Sequence, residues 1–240
     1  MAKAAGRRLL AASSVTTWAV FVSLNLMAAT AIYLSIRYSS LLPELPVHFT
    51  FGGRPDGFQY KSWPRVLTPF FVQAGIFGTC AAIGALLLSR KDASSAHDEP
   101  DARAAVTAVE AVMLMAATWV AFQAYAAYAL VTLWSGGKAT LGRGYSVAEA
   151  VCFGVTILIG IRAQWTLAKP TPLPYVAEHW RFGELYCNAD HPALFVPTRN
   201  GKRWTLNFGR RAAVMLLGGI LVVGILAPTL MMLLAFRLTT

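Results

Sequence analysis

The chain has 240 residues, of which 56% are hydrophobic and only 13% are charged, and its mean hydropathy is +0.52. Soluble domains carry about 25% charged residues, so this composition excludes an ordinary soluble protein and predicts a polytopic membrane protein surrounded by lipid. The formal net charge is +10. In a soluble chain such an excess would suggest nucleic acid. In a membrane protein it is typical of basic residues on the cytoplasmic side, so we expect no nucleic-acid partner.

The sequence contains five apolar runs, each long enough for the roughly 20 residues that a membrane-spanning helix needs. We predict spans over about residues 16–36, 65–88, 104–133, 147–167 and 212–236. The first run could instead be a signal peptide cleaved at Ala29-Thr30-Ala31. It continues past that site and is longer than a signal h-region of roughly 7–15 residues, which favours a span. The predicted fold class is an all-α polytopic membrane protein with five transmembrane helices and a small β-hairpin module.

The spans divide the chain into three parts. Residues 1–168 form a four-helix membrane region with an extracytoplasmic loop at 37–64, residues 169–211 form a cytoplasmic hairpin module, and residues 212–240 form the fifth helix. Within the module, residues 194–198 and 203–208 alternate apolar and polar side chains around Asn200-Gly201, which is typical of a hairpin with a positive-φ turn. We expect the module to pack four aromatic residues against the bundle or the membrane surface: Trp180, Phe182, Phe195 and Trp204.

The basic residues decide which ends of the spans face the cytoplasm. With the N-terminus inside, only a minority of the 21 Lys and Arg residues stay outside: Arg37, Arg54, Lys61, Arg65, Lys138, Arg143 and Arg237. Cytoplasmic segments of membrane proteins are enriched in Lys and Arg, so we predict a multi-pass membrane protein with its N-terminus cytoplasmic and its C-terminus extracytoplasmic.

Several residues within the spans are polar, charged or small. Asn25 and Gln123 are expected to bond neighbouring helices, as polar residues in membranes commonly do. Glu110 either reaches interfacial water or is an interior functional group, and Arg162 can snorkel to the interface. We predict that helices pack closely at three glycines: Gly75, Gly78 and Gly84. We predict that three aromatic residues form a belt at the membrane interface: Tyr125, Tyr128 and Trp134.

The first outer loop contains the densest motifs in the chain, LPELPVHFTFGGRPDGFQYK over residues 42–61. Its prolines favour extended backbone, and Pro55-Asp56-Gly57 is typical of a turn in which Gly57 tolerates positive φ. Connections between packed helices need only about 2–8 residues, so a loop of this length indicates a function.

This loop resembles the first extracytoplasmic loop of the SdpI family of bacterial membrane proteins. The resemblance rests on Leu42-Pro43, Pro46-Val47-His48-Phe49, Gly53-Arg54-Pro55-Asp56-Gly57 and Lys61. It implies a multi-helix fold in the bacterial cytoplasmic membrane and, less directly, ligand sensing or immunity to a peptide toxin.

The segment before the last span resembles an uncharacterised module that often follows such a loop. The matching residues are Trp180, Tyr186, Asn188-Ala189-Asp190, Phe195-Val196-Pro197 and Leu206-Asn207-Phe208-Gly209. His191 stands where that pattern has a second acid, which argues against a carboxylate pair.

Two candidate sites can be named from residue types. The module contains four potential metal ligands: His179, Cys187, Asp190 and His191. A lone Cys-x-x-x-His is not one of the paired spacings expected for zinc, so we predict neither a metal nor a cofactor there. The outer loop supplies the candidate ligand-binding residues: His48, Phe49, Arg54, Asp56 and Lys61. Asp56 has an alternative interpretation as an Asx-turn residue, with Arg54 or Lys61 as its ion partner.

Three function classes follow from these observations. In the first, the outer loop binds a peptide or a cell-envelope ligand and the module reports to a membrane or cytoplasmic protein partner. In the second, the protein is an accessory subunit that packs against a larger membrane complex through alanine- and glycine-rich faces. An enzyme ranks last, because the chain has no Ser/His/Asp order, no HExxH helix and no Walker loop.

Overall fold

The computed structural model describes residues 7–50, 52–91, 99–167, 174–191, 193–201 and 204–221. The helices are α1 Ser14–Arg37, α2 Trp63–Val66, α3 Thr68–Leu88, α4 Glu99–Trp134, α5 Gly142–Thr166 and α6 Arg211–Leu221. The strands are β1 Arg7–Leu9, β2 Glu44–Phe49, β3 Pro55–Tyr60, β4 Ser89–Lys91, β5 Trp180–Arg181, β6 Leu185–Tyr186, β7 Phe195–Pro197 and β8 Trp204–Leu206. They pair as four two-stranded sheets, β1-β4, β2-β3, β5-β6 and β7-β8, all antiparallel.

Four helices are long and apolar enough to cross a membrane, which supports the membrane class predicted from composition. Their candidate spans are Ser14–Ser40, Thr68–Leu88, Ala102–Trp134 and Gly142–Thr166. The predicted fifth span begins in α6, and most of it lies outside the described residues. Fold class is therefore mostly helical, with small sheets at both ends of the bundle where the sequence predicted only one hairpin.

Helix α4 is the centre of the bundle, because α1, α3 and α5 all pack against it. Its alanines allow this close approach and are buried within the bundle: Ala104, Ala105, Ala116, Ala126 and Ala127. Helix α5 packs mainly against α4 and leaves a broad apolar face exposed, including Val151, Ile157, Leu158 and Trp165.

The apolar core has a cluster at each end of the bundle. At one end, Leu87 and Met113 pack with Leu194 and Ala213, which attaches the β7-β8 sheet and α6 to the helices. The strand pair β1-β4 lies at this same end, next to the end of α3. At the opposite end, the second cluster lies beneath the β2-β3 hairpin and is built from residues of α1, α2, α4 and β2: Leu34, Leu45, Val66, Val131 and Trp134 among them.

Gln73 on α3 forms hydrogen bonds with α1 and α4. Its side chain is 0% exposed, and its Nε2 donates to Thr30 Oγ1 on α1 at 3.1 Å and to the Val120 carbonyl on α4 at 2.9 Å. Because lipid offers no competing hydrogen bonds, such a bridge fixes the relative positions of α1, α3 and α4.

Several predictions about polar residues in the spans need correction. Asn25 donates to the Phe21 carbonyl of its own helix at 2.7 Å, because its side chain is on the exposed face of α1. Gln123 has no hydrogen-bond partner among the described residues and lines a cavity instead. Glu110 and Arg162 join α4 to α5, with 3.9 Å between Arg162 Nη2 and Glu110 Oε2.

The predicted close-packing glycines differ from one another. A Cβ at Gly84 would meet Val109 Cγ1 at 3.4 Å, so this glycine lies in the contact between α3 and α4. A Cβ at Gly75 or Gly78 would meet nothing within 4 Å in the described part of the chain. These two glycines are on the open face of α3, so they do not pack helices within this bundle.

In the segment predicted as a hairpin module, Asn207 holds the chain together. Its side chain is 0% exposed, its Nδ2 donates to the carbonyls of Asn188, His191 and Ala193, and its Oδ1 accepts from the Asn188 and Gly209 amides. A Cβ at Gly209 would lie 2.5 Å from the Asn188 carbonyl carbon. This network fixes Asn188 and Gly209 against Asn207.

The four aromatic residues expected to pack outwards from the module have separate positions. Phe195 packs against the helix cluster, whereas Trp180 packs within the module against Tyr186, 5.2 Å between ring centroids. Phe182 is 94% exposed and has φ 52° in the turn between β5 and β6. Trp204 is half-buried in β8, which pairs with β7 across a turn where Gly201 has φ 64°.

Candidate functional site

The loop between α1 and α3 forms a hairpin of β2 and β3. The chain reverses between Thr50 and Arg54, where the Thr50 amide donates to the Arg54 carbonyl at 2.9 Å and Gly53 has φ 74°. The prolines at 43 and 46 keep the approach extended, as the sequence predicts. The turn predicted at Pro55-Asp56-Gly57 is wrong, because these residues form the first half of β3.

Gly57 has a role that differs from the predicted positive φ. It pairs with His48, where the register of the ladder shifts, and a Cβ at Gly57 would lie 2.9 Å from His48 Cβ. That distance is too short for two carbon atoms without a backbone shift. Gly57 therefore allows β2 and β3 to approach closely at the irregularity, where His48 meets β3.

Backbone hydrogen bonds fix the hairpin to the helices. The Trp134 indole Nε1 donates to the Pro46 carbonyl at 2.8 Å, and the Leu42 amide donates to the Trp134 carbonyl at 2.9 Å. At the tip of the hairpin, the Leu141 amide donates to the Gly53 carbonyl at 3.1 Å. Trp134 is 3% exposed, so its predicted place in an interfacial aromatic belt is wrong, and it anchors the hairpin to α4.

Lys61 stabilises the junction between α1 and the hairpin. Its Nζ donates to the Leu41 carbonyl at 2.9 Å and to the Tyr38 carbonyl at 3.4 Å, two carbonyls that follow the end of α1. The ammonium also lies 5.1 Å from the centroid of the Tyr38 ring, which stacks on Trp63 at 3.9 Å. These contacts assign Lys61 to holding the hairpin in place.

His48 and Asp56 meet on the exposed face of the hairpin. His48 Nδ1 and Asp56 Oδ1 are 2.5 Å apart, and their side chains are 62% and 41% exposed. A carboxylate only accepts hydrogen bonds, so this contact requires a proton on Nδ1 of His48. The predicted Asx turn at Asp56, with Arg54 or Lys61 as ion partner, is therefore replaced by a strand residue paired with His48. Phe58 and Tyr60 are exposed further along β3, 59% and 72%.

The structure divides the predicted ligand-binding residues among four places. His48 and Asp56 form the exposed pair, and Arg54 is exposed at the turn. Phe49 is half-buried and packs on the cluster beneath the hairpin, while Lys61 contacts the end of α1. Of these residues, only His48 and Asp56 contact each other and form a site.

Beneath the hairpin lies a partly open cavity of about 270 Å³. Its walls are mostly apolar and come from β2, α3, α4 and the start of α5, including Val47, Phe49, Val72, Leu130 and Trp134. Its polar lining is small and comes from every side: Gln59, Arg65, Thr68, Gln123 and Tyr145. Mostly apolar walls with a few convergent polar groups are the usual make-up of a ligand pocket.

Arg65 and Gln59 connect the cavity to the hairpin. Arg65 Nε donates to Gln59 Oε1 and its Nη1 donates to the Tyr60 carbonyl, both at 2.5 Å. Among the described residues, no carboxylate lies within ion-pair distance of Arg65. The guanidinium therefore contributes an unneutralised positive charge, with N–H groups that neither contact uses.

A metal centre or a similarity to known proteins would indicate what this site does. In the described ranges, no group of three or more His, Cys, Asp and Glu side chains could hold a metal ion. Comparisons of the chain with family models, with curated proteins and with solved structures found no match.

The cavity residues are missing from the sequence-based candidates because they lie far apart in the chain. Arg65 reads as an ordinary basic residue at a span end, and Gln123 as a helix-bonding amide. A sequence signal for this cavity would be the Gln123 amide at the same membrane depth as the basic residue Arg65. Whether the two residues share a depth depends on how α3 and α4 are aligned, which the sequence does not show.

Proposed function

We propose that this protein is a bacterial membrane sensor of the SdpI-like type, whose outer hairpin binds a ligand from outside the cell, with immunity to a peptide toxin as one form of that role. The observation that carries the proposal is the His48–Asp56 pair on a hairpin fixed to the helices. A simple tether between α1 and α3 needs neither feature. We assign no catalytic role to the pair.

The anchoring of the hairpin supports binding. Contacts from Trp134, Leu141 and Lys61 hold β2 and β3 on α1, α4 and the α4–α5 connection. A loop that is already ordered loses little conformational freedom when a ligand binds, so more of the contact energy becomes affinity. His48 and Asp56 then present a fixed donor and acceptor array beside the exposed aromatic ring of Phe58.

We place the hairpin outside the cytoplasm and the N-terminus inside it. The support is the distribution of Lys and Arg, together with the opposite positions of the hairpin and the β7-β8 sheet along the bundle. With a fifth span completed beyond α6, the C-terminus lies outside, and the segment 169–211 is cytoplasmic and available to a protein partner.

The experiment compares fitness with protein abundance. A deletion strain is complemented with wild type, His48→Ala or Asp56→Ala, and each strain is grown with a panel of envelope-active peptides and inhibitors. We expect both variants to lose the protection that wild type gives while reaching wild-type amounts in the membrane, since exposed substitutions usually cost within about 0.5 kcal/mol.

The matched control is Glu44→Ala. Glu44 is an exposed acid on the same hairpin, and the described structure gives its carboxylate no partner. This control should behave as wild type. Normal protection in both the His48 and the Asp56 variants would contradict the binding role and leave the hairpin as a lid over the helix ends.

Location is tested separately by cysteine labelling. In a background without the natural cysteines, a reagent that cannot cross the membrane should modify Arg54→Cys and Gly137→Cys in whole cells. It should leave Ser95→Cys and Lys202→Cys unmodified until the cells are opened. Labelling of Lys202→Cys in intact cells would contradict the five-span arrangement.

The second candidate function, an accessory subunit of a larger membrane complex, is favoured by the exposed apolar face of α5. Trp165 is 84% exposed there, and Gly75 and Gly78 are open on α3. Against it, the alanine-rich surface of α4 is already used inside the bundle. Affinity purification distinguishes the two, because larger membrane subunits recovered in stoichiometric amounts would favour the accessory role.

A further inference from the structure

The cavity beneath the hairpin lies near one end of the candidate membrane spans. It is lined by α3, α4 and α5, and α5 packs mainly against α4, so the cavity lies over α4 between its two neighbours. The α4 span has 33 residues and is therefore about 50 Å long, against a hydrocarbon core of about 30 Å. Gln123 lies about 16 Å from the helix end at Trp134, which places it within the leaflet nearest the hairpin.

The two ends of the cavity differ in chemistry. Arg65 precedes α3, so its guanidinium is at the level of the lipid headgroups, and in the described chain it has only neutral acceptors, Gln59 and the Tyr60 carbonyl. A guanidinium has five N–H donors and matches phosphate geometry closely. A positive charge with unused donors at this level is complementary to a phosphate group.

Gln123 is the polar group at the deeper end. Its amide has no partner among the described residues, although an amide in hydrocarbon without a hydrogen bond is costly. Gln73, on the same bundle, is fully buried and bonded to two helices. The Gln123 amide is therefore free to donate to a molecule that enters the cavity, and the ester carbonyl below a phospholipid headgroup is a suitable acceptor.

The cavity volume limits the occupant further. A cavity of about 150 Å³ can hold benzene, and pockets for drug-sized ligands have about 300–1,000 Å³. At about 270 Å³ the cavity accommodates a headgroup and the adjoining part of one acyl chain, but not a folded peptide.

We propose that this cavity binds an anionic phospholipid of the leaflet nearest the hairpin, with its phosphate on Arg65 and an ester carbonyl on the Gln123 amide. This is a second site beyond the proposed function, because it lies beneath the hairpin whereas His48 and Asp56 are on the exposed face. The lipid would fix the hairpin through the contacts of Arg65 with Gln59 and Tyr60.

The test uses photolabelling in vesicles. The full-length protein is reconstituted in phosphatidylcholine vesicles that contain a small fraction of a photoactivatable phosphatidylglycerol, and the labelled peptides are mapped. We expect label on the cavity-lining parts of α3, α4 and α5, competed by unlabelled phosphatidylglycerol but not by phosphatidylcholine. Arg65→Gln should lower labelling about tenfold, the equivalent of one ionic hydrogen bond.

Two further variants keep the test independent of any loosening of the hairpin by Arg65→Gln. Val72→Trp fills the cavity from α3 without touching the hairpin bonds and should abolish the label. Gln123→Leu should lower it about threefold, the equivalent of one average hydrogen bond in a membrane. His48→Ala, which alters only the exposed face, should label as wild type does.

Three results would overturn the proposal. Equal labelling by a photoactivatable phosphatidylcholine would show that the positive charge of Arg65 does not favour an anionic headgroup over a zwitterionic one. Wild-type labelling of Val72→Trp would show that the lipid binds elsewhere. Loss of labelling in His48→Ala would show that the two faces of the hairpin are one site. None of these depends on the fitness test, so the two proposals fail separately.

Discussion

Two glutamines in the membrane region should respond oppositely to the same substitution. Gln73 is fully buried and bridges α1, α3 and α4, whereas Gln123 lines the cavity without a partner among the described residues. Leucine has a similar size to glutamine and no polar atoms, so Gln73→Leu and Gln123→Leu remove an amide while leaving the packing nearly unchanged.

The size of each effect follows from the contacts. Hydrogen bonds between membrane helices contribute on average about 0.6 kcal/mol and at most about 1.7 kcal/mol each, so losing two costs about 1–3 kcal/mol. The Gln73 Oε1 is buried without a partner in the described structure, and its removal offsets part of this loss. We therefore expect Gln73→Leu to lower the free energy of unfolding by about 1–2 kcal/mol. Gln123→Leu should leave it unchanged or raise it by up to about 1 kcal/mol.

The assay is thermal unfolding in a zwitterionic detergent without anionic lipid or anionic detergent, so that no anionic amphiphile occupies the cavity. Thr30→Val is the control for the bridge, because it removes one of the two partners of Gln73 while keeping the side-chain shape. It should cost less than Gln73→Leu and add little to it in the double variant. Equal destabilisation by Gln123→Leu and Gln73→Leu would refute the distinction between a bridging and an unpartnered amide.

The remaining predictions concern backbone and network positions. Gly57→Ala should lower the free energy of unfolding by about 1–2 kcal/mol in a melting experiment, because its Cβ would lie 2.9 Å from His48 Cβ. Gly52→Ala is the control: the nearest atom would lie 3.9 Å from its Cβ, so its free energy of unfolding should stay close to that of wild type. Asn207→Ala leaves buried carbonyls and amides unpaired and should lower the protease resistance of residues 174–210 markedly; unchanged resistance would contradict the network. Phe182→Asn places a residue that tolerates φ 52° in the exposed turn, so slower hydrogen exchange there is expected and faster exchange would argue against strain.

Much of the membrane fold could be predicted from sequence because its signal is local. A run of about 20 apolar residues needs no knowledge of neighbours to indicate a span, and four such helices are present. Helix partners depend on contacts between distant segments. Gly84 packs against Val109 whereas Gly75 and Gly78 face outwards, although all three looked alike in the sequence.

The candidate site shows the same limit more sharply. Proline and glycine positions indicated an ordered outer loop, but a strand rather than a turn forms at Pro55-Asp56-Gly57, because pairing with β2 overrides the local turn preference. The pairing then brings His48 to Asp56 and assigns Lys61 to the end of α1. Arg65 and Gln123 meet at one cavity only because α3 and α4 pack side by side.

The central claim is that His48 and Asp56 act together as a binding element on the exposed face of the hairpin. The most direct measurement is protection in the complemented deletion strain for His48→Ala, Asp56→Ala and the double variant, each normalised to its abundance in the membrane. If the pair acts as a unit, both single variants lose protection and the double variant loses no more than either of them. Wild-type protection in the double variant would contradict the claim.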